Sequence, residues 1–354
     1  MTSAHLSLTA ATALAVPVAL LVDRWFGEPR VRLHPVVRMG NFLAWAGAWV
    51  QRHTRQTTLQ DRPGSKSGSV ALDQRSDYKA FGLGALVWCA QAAIFFVAAG
   101  VLQGGVVWLM RAATTVNPWL AVLVGAVLLG LLLKPLLAWA MLQSEVLAVE
   151  AALDQSLDAG RERLRWLVSR DVTQLTDTQV RESAIETLAE NLNDSVVAPV
   201  FWFLLLGLPG AALYRFANTA DAMWGYPGVY KGENWAWAGK WAARADDVLS
   251  WVPARITALL LLLVQGARGL GLLARLPAEA IKTPSPNSGW PMAAMALSLK
   301  VALRKPGVYV LNPQGRAAQA ADTSLALIYA SKTVLALVGF AQAAMFFIAF
   351  EGVR

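Results

Sequence analysis

The residues best placed to do chemistry lie in one stretch, ESAIETLAENLNDSVVAPVF, from Glu182 to Phe201. Glu182, Glu186 and Glu190 recur at i, i+4 and i+8 and stack on one helix face. Like charges at that spacing repel, so the row needs a partner: water, a cation such as Mg²⁺, or basic side chains. Asn191, Asn193 and Asp194 extend the oxygen-rich surface to Val196, where apolar sequence begins. A solvated helix face is the plain reading of this row; a metal–phosphate or substrate site at a membrane surface is the sharper one. Further on, Asn218 and Asp221 share a helix face at i, i+3, and WAARADDVLSWVPAR presents Arg244, Asp246, Asp247 and Arg255. Each taken alone reads equally well as juxtamembrane charge pairing. Together with the glutamates they offer carboxylates for Mg²⁺, which uses one or two of them plus phosphate oxygens, and guanidinium groups for phosphate. SPNSGWP, residues 285–291, is a turn carrying Ser285, Asn287 and Trp290. His34, set between Leu33 and Pro35, reads either as a turn residue or as a base, and Ser169-Arg170-Asp171 is a weak signal by itself.

The elements that must position these groups are helices. Thr176 followed by Gln179 predicts a capping box, and Val180, Ala184, Ile185, Leu188 and Leu192 form an apolar stripe opposite the glutamates. The chain is 56% hydrophobic and 15% charged, well below the roughly 25% charge of soluble domains. Its 15 Trp suit membrane interfaces. Residues 81–110 contain no charge and must span. Residues 6–22, 119–142 and 324–350 are further spans, with Lys134 inside the second of these. Residues 196–216 are apolar but broken at Gly207-Leu208-Pro209-Gly210, which favours a re-entrant hairpin, and 256–273 either crosses or lies at the interface. The expected fold class is all-α, a polytopic helical membrane protein with polar helices and loops on its cytoplasmic face. Residues 1–354 form a single integral membrane domain. Residues 23–79 carry ten Lys/Arg against five Asp/Glu, and the positive-inside rule makes them a cytoplasmic basic loop. Residues 143–195, with eleven acidic against five basic residues, form a cytoplasmic acidic helical segment.

Several classes are excluded. One cysteine, Cys89, rules out disulfides and cysteine metal sites. The net charge of +8 concentrates beside apolar spans without a nucleic-acid-binding motif. PGSKSG, residues 63–68, lacks the spacing of a phosphate loop.

At these motifs the chain resembles the CobD/CbiB family of cobalamin biosynthesis. The resemblance rests on DRWFGEPRVRLHPVVRMG, SRDVTQL, ESAIETLAENLNDSVVAPVFW, PGAALYRFANTADAMWGY, AARADDVLSWVPARITALL and SPNSGWPMAAMA, in that order. Departures are Glu28 for the usual Asp, Ser195 for the usual Gly, the stretch 226–241, and the region after Met295. The resemblance implies an adenosylcobinamide-phosphate synthase, an amide ligase joining adenosylcobyric acid to aminopropanol phosphate. It implies ATP and Mg²⁺ as cofactors, with cobalt present only inside the corrinoid substrate. On this reading Glu186, Glu190, Asn191, Asp194, Asp221 and Arg244 are catalytic. Glu186, Glu190, Asp194, Asp246 and Asp247 hold the metal. His34, Arg170, Asp171, Asn218, Arg255, Ser285, Asn287 and Trp290 bind substrate. The site faces the cytoplasm from the inner membrane, with the bilayer and the two substrates as partners and no nucleic acid. A homo-oligomer, or other cobalamin-pathway enzymes, stay open as further partners. The competing class is a transporter subunit or regulatory protein of related fold, favoured by Lys134 and the broken 196–216 segment.

Overall fold

A computed structural model describes residues 3–54 and 76–351; the PGSKSG fragment lies outside the described residues. In chain order the helices are α1 (Ser3–Phe26), α2 (Pro35–His53), α3 (Tyr78–Thr114), α4 (Pro118–Leu133), α5 (Trp139–Leu153), α6 (Leu157–Leu164) and α7 (Asp177–Leu192). A π-helical turn, Asn193–Val197, leads into α8 (Ala198–Leu206) and α9 (Leu208–Trp224). The hairpin β1 (Val229–Tyr230) and β2 (Glu233–Asn234) precedes α10 (Lys240–Leu263), α11 (Ala267–Leu270), α12 (Leu276–Ala280) and α13 (Gly289–Leu299). A second antiparallel hairpin, β3 (Leu303–Lys305) and β4 (Tyr309–Leu311), precedes α14 (Ala320–Glu351). The protein is an all-α polytopic membrane protein: Ser7–Phe26, Tyr78–Thr114, Pro118–Leu153 and Ala320–Met345 are long and apolar enough to cross a bilayer.

These spans meet along small residues, which let backbones approach where lipid provides no hydrophobic drive. A Cβ added at Gly130 of α4 would sit 2.6 Å from Val18 Cγ1 of α1. On its other side α3 presents Leu86, Val97, Val101 and Trp108 outward, as a lipid-facing span does.

Three details differ from the sequence reading. The 23–79 segment is more than a loop, because Pro35 and the His34 cap start the 19-residue helix α2. The 119–142 span breaks at 134–138 between α4 and α5. Two small hairpins interrupt an otherwise helical chain. The 196–216 segment divides at Gly207 (φ 69°) into two helices that pack on each other. The nine residues of α8 reach only about 14 Å, half a bilayer core. Gln103, inside span α3, accepts from Leu208 N at 2.6 Å and so holds this turn.

Candidate active site

Helix α7 begins with the capping box: Thr176 Oγ1 accepts from Gln179 N at 3.3 Å, and Gln179 Oε1 accepts from Thr176 N at 2.9 Å. Both faces of the helix are covered, by α5, α6, α13, α14 and β3. Glu182 is 0% exposed and Glu186 5%, so water is not what balances these two; Glu190 is half-buried. Basic side chains balance Glu182 and Glu186. Arg304 of β3 donates to Glu182 Oε1 at 2.5 Å. Arg170 Nη2 donates to Ser183 Oγ at 2.5 Å and reaches Glu186 Oε2 at 3.5 Å. The Tyr309 hydroxyl of β4 lies near Glu186 and donates to Met292 Sδ at 3.7 Å, and the Lys305 charge acts on both Glu186 and Glu190. Burial outweighs these partners: it raises the pKa of Glu186 and lifts Glu182 to about 7. Glu190 also stands at about 7, through burial and then the Asp194 and Glu186 charges.

The π-turn that ends α7 drops the regular i→i−4 pattern, and the carbonyls so released take other donors. Ser195 O accepts from Ala138 N at 3.1 Å, from the break between α4 and α5. Asp194 O accepts from Arg215 Nη1 at 3.1 Å. The Asp194 carboxylate accepts from Asn193 Nδ2 at 2.7 Å, the Tyr214 hydroxyl at 3.3 Å and Asn218 Nδ2 at 3.3 Å. Asp246, from α10, lies near the Asn218 side chain; burial, then Asp194 and Asp221, push its pKa well up. Asp221 rises to about 6 through burial and the Asp247 and Asp194 charges, and burial raises Asp247. Residues from α7, the π-turn, α9 and α10 thus share one electrostatic site.

A second buried network lies where α1 meets the α4–α5 break. Lys134 Nζ is 2.9 Å from Glu28 Oε2 and 3.4 Å from Asp23 Oδ1. Asp23 Oδ2 accepts from Ala140 N at 2.6 Å. His34 Nδ1 accepts from Val36 N at 3.2 Å, capping α2, which makes Nε2 the donor to Glu28 at 2.9 Å. The Glu28 charge is felt at Arg215, so this network borders the site. His34 holds the start of α2 here, and its ring nitrogens are both engaged.

The remaining residues expected at the site divide. Arg255 donates to Asn287 Oδ1 at 2.8 Å and to Pro286 O at 3.2 Å, with its guanidinium over the Trp251 and Trp290 rings. Ser285 Oγ accepts from Asn287 N and Ser288 N, and Asn287 Nδ2 donates to Asp247 O at 2.7 Å. Ser285, Asn287, Trp290 and Arg255 are therefore a clamp that fixes the 285–291 turn against Asp247. Asn191 Nδ2 donates back to Thr187 O at 3.1 Å. Asp171 is exposed and accepts from Thr173 N at 2.9 Å, a bond that lowers its pKa. Arg244 is exposed and, among the described residues, makes no ion pair with the aspartates beside it.

Glu186, Glu190, Asp194, Asp246 and Asp247 do not make one ligand shell: among the described residues no three His, Cys, Asp or Glu come together to hold a metal ion. Glu186 already leans on Arg170, and Asp194 on its amide and hydroxyl donors. Asp246 Oδ1 is buried without a partner, which leaves one carboxylate oxygen at the aspartate end open to a cation, and Mg²⁺ on phosphate needs only one or two carboxylates. Sequence reasoning missed Tyr214, Arg215, Arg304, Lys305 and Tyr309. Pro306-Gly307 between alternating residues was the available hairpin signal for the last three.

Fold and site together define a helical membrane protein whose carboxylate-rich centre is buried at the meeting of four polar helical segments. The chain belongs to the CobD/Cbib family: the description CobD/Cbib protein matches residues 16–335. Among its relatives are the probable cobalamin biosynthesis protein CobD of Methanothermobacter thermautotrophicus, 37% identical over 83% of this chain and 85% of that protein. The cobalamin biosynthesis protein CobD of Brucella suis is 33% identical over 94% of this chain and 96% of its own. That of Chromobacterium violaceum is 36% identical over 82% and 81%. No solved structure matches the chain.

Proposed function

We propose that the protein works in cobalamin biosynthesis as an adenosylcobinamide-phosphate synthase. It forms the amide between the propionate carboxylate of adenosylcobyric acid and the amine of aminopropanol phosphate, with ATP and Mg²⁺, at the cytoplasmic face of the inner membrane. The observation that carries this reading is a charge imbalance. Among the described residues, Glu182, Glu186, Glu190, Asp194, Asp221, Asp246 and Asp247 face Arg170, Arg215, Arg304 and Lys305. A surplus of buried and half-buried carboxylates takes up protons or cations, and an ammonium nucleophile and a magnesium ion are both cations.

ATP, when bound, supplies the phosphoryl group that turns a carboxylate oxygen into a leaving group. The protein's residues do the rest. Asp246 and Asp221 would hold Mg²⁺ beside phosphate, with Asn218 near Asp246. Glu190, poised at about 7, takes a proton from the ammonium group so that its nitrogen can attack, as a base matched to neutral pH should. Arg215 holds the π-turn and so sets where Asp194 points. Lys134, the feature that favoured transport, is neutralised by Asp23 and Glu28 within the fold.

The test is the detergent-purified full chain incubated with adenosylcobyric acid, aminopropanol phosphate and Mg·ATP. A product heavier than the acid by the amine minus water, formed only with ATP, supports the reading; no such product defeats it. Orientation has its own check. In a Cys89→Ser background, Glu162→Cys and Lys231→Cys, both at exposed positions, should label in intact cells only with a membrane-permeant reagent.

A further inference from the structure

We infer that Lys305, with Arg170 and Tyr309, forms a phosphomonoester subsite at the first-turn end of the acidic row, and that this subsite selects the phosphorylated amine. The inference rests on the synthase reading above and assigns one end of its acceptor substrate.

The hairpin geometry brings the groups together. Lys305 and Tyr309 are directly opposed across β3–β4, so their side chains project from the same face. Pro306-Gly307, with Gly307 at φ 74° and Val308 N bonded to Lys305 O at 2.9 Å, makes the tight turn that enforces this pairing. Arg304, on the alternate face, anchors the hairpin to Glu182. Lys305 acts on Glu186 and Glu190, Arg170 reaches Glu186, and the Tyr309 hydroxyl, which donates to Met292 Sδ at 3.7 Å, lies beside them.

That carboxylate does not consume the donors. Among the described residues Lys305 has no ion-pair partner, although it is half-buried. Arg170 spends only Nη2, on Ser183 and on the long 3.5 Å contact to Glu186. Its Nε and Nη1 are buried with no partner. Buried guanidinium donors left open are costly in a native fold. Arg170 keeps two such donors while Lys305 acts on Glu186 and Glu190 without an ion pair to either. A phosphate dianion fills the open donors, with Arg170 and Lys305 as charge partners and the Tyr309 hydroxyl, now on Met292 Sδ, as a further donor.

The spacing identifies which phosphate. Glu186 and Glu190 are separated along α7 by about 6 Å of helix rise. In an amino phosphate with two carbons between the heteroatoms, nitrogen and phosphorus lie about 5 Å apart. Phosphate on Lys305 and Arg170 therefore sets the amine at Glu190, the proposed base.

The experiment compares aminopropanol phosphate with unphosphorylated aminopropanol as acceptors for wild type, Lys305→Met and Lys305→Arg. KM for ATP is measured in parallel, and binding of aminopropanol phosphate to each purified full chain is followed by calorimetry. The wild type should prefer the phosphorylated amine. Lys305→Met should shrink that kcat/KM preference by about 10- to 100-fold, the weight of a charged hydrogen bond, and weaken binding to match, while Lys305→Arg retains most of it. An unchanged preference in Lys305→Met overturns the inference. So does a rise in KM for ATP with the preference intact, which would give the cation to the nucleotide. If the wild type makes no amide yet binds the amino phosphate, and Lys305→Met binds it 10- to 100-fold more weakly, the reaction is wrong and the subsite stands. A wild type that does not bind the amino phosphate removes the subsite.

Discussion

The two ends of the acidic row differ in how they balance buried charge. At the α7 end, Glu182 and Glu186 each face an arginine, delivered by β3 and by the loop before α7. At the π-turn end, Asp194, Asp221, Asp246 and Asp247 share neutral amides, a hydroxyl and one arginine. On the reading proposed above, the first end takes an anion and the second a cation. Glu190 stands between them and feels Lys305 from one side and Asp194 from the other. The lesson is that a row of like residues along one helix need not be one site, because what each turn of the helix meets decides its chemistry.

The sharpest way to break this comparison is at the cation end. Asp246→Asn should lower amide formation by roughly two orders of magnitude or more, the scale of losing one electrostatic contact to a transition state, with partial recovery at high Mg²⁺. Glu190→Gln should lose as much with no recovery, and should abolish the rise of kcat/KM through pH 7 that a base at about 7 imposes. Equal magnesium rescue of both variants would erase the distinction drawn between them. Turnover against Mg²⁺ concentration and pH makes the measurement.

At the anion end the larger effect is on stability. Arg304→Met leaves Glu182 buried and unpaired, a change that costs 3–5 kcal/mol for a fully buried pair. The Arg304 side chain is 37% exposed, so about 2 kcal/mol is expected here. Chemical denaturation in detergent would read it, and an unchanged midpoint would deny the hairpin its anchoring role.

A smaller effect is pH-dependent. Glu182 and Glu190 have folded pKa values of about 7 against 4.5 for the free side chain. Folding takes up protons between those values, so the unfolded chain binds fewer and stability falls as pH rises. The contribution is complete below about pH 4.5 and is lost as pH passes through 7. Tm should therefore decline from pH 5 to pH 8, and Glu190→Gln should flatten the decline; identical slopes would refute it. The smallest change is expected at Arg244, which is exposed and unpaired. Arg244→Ala should alter stability by no more than about 0.5 kcal/mol and turnover by less than an order of magnitude. A large loss of turnover would support the catalytic role that the resemblance implies for Arg244.

Much of this was readable from local rules. Apolar run length depends only on consecutive residues, so three of the four spans emerged close to their observed limits. The Thr176 cap and the Gly207 break are equally local, since a cap needs a hydroxyl three residues before its partner and a turn needs backbone freedom. Helical spacing also put Glu182, Glu186 and Glu190 on one line. Whether that line faced water was not decidable from spacing, because periodicity reports which residues share a face and says nothing of what covers it. Only the tertiary structure could decide that. Packing of β3 against α7 brought Arg304 to Glu182 across 122 residues, and Lys134 met Glu28 across 106. The same packing joined Arg255 to Asn287 in a clamp on the 285–291 turn. Long-range pairs of this kind arise when burial makes an unpaired charge too costly to leave, and burial is a property of the whole fold.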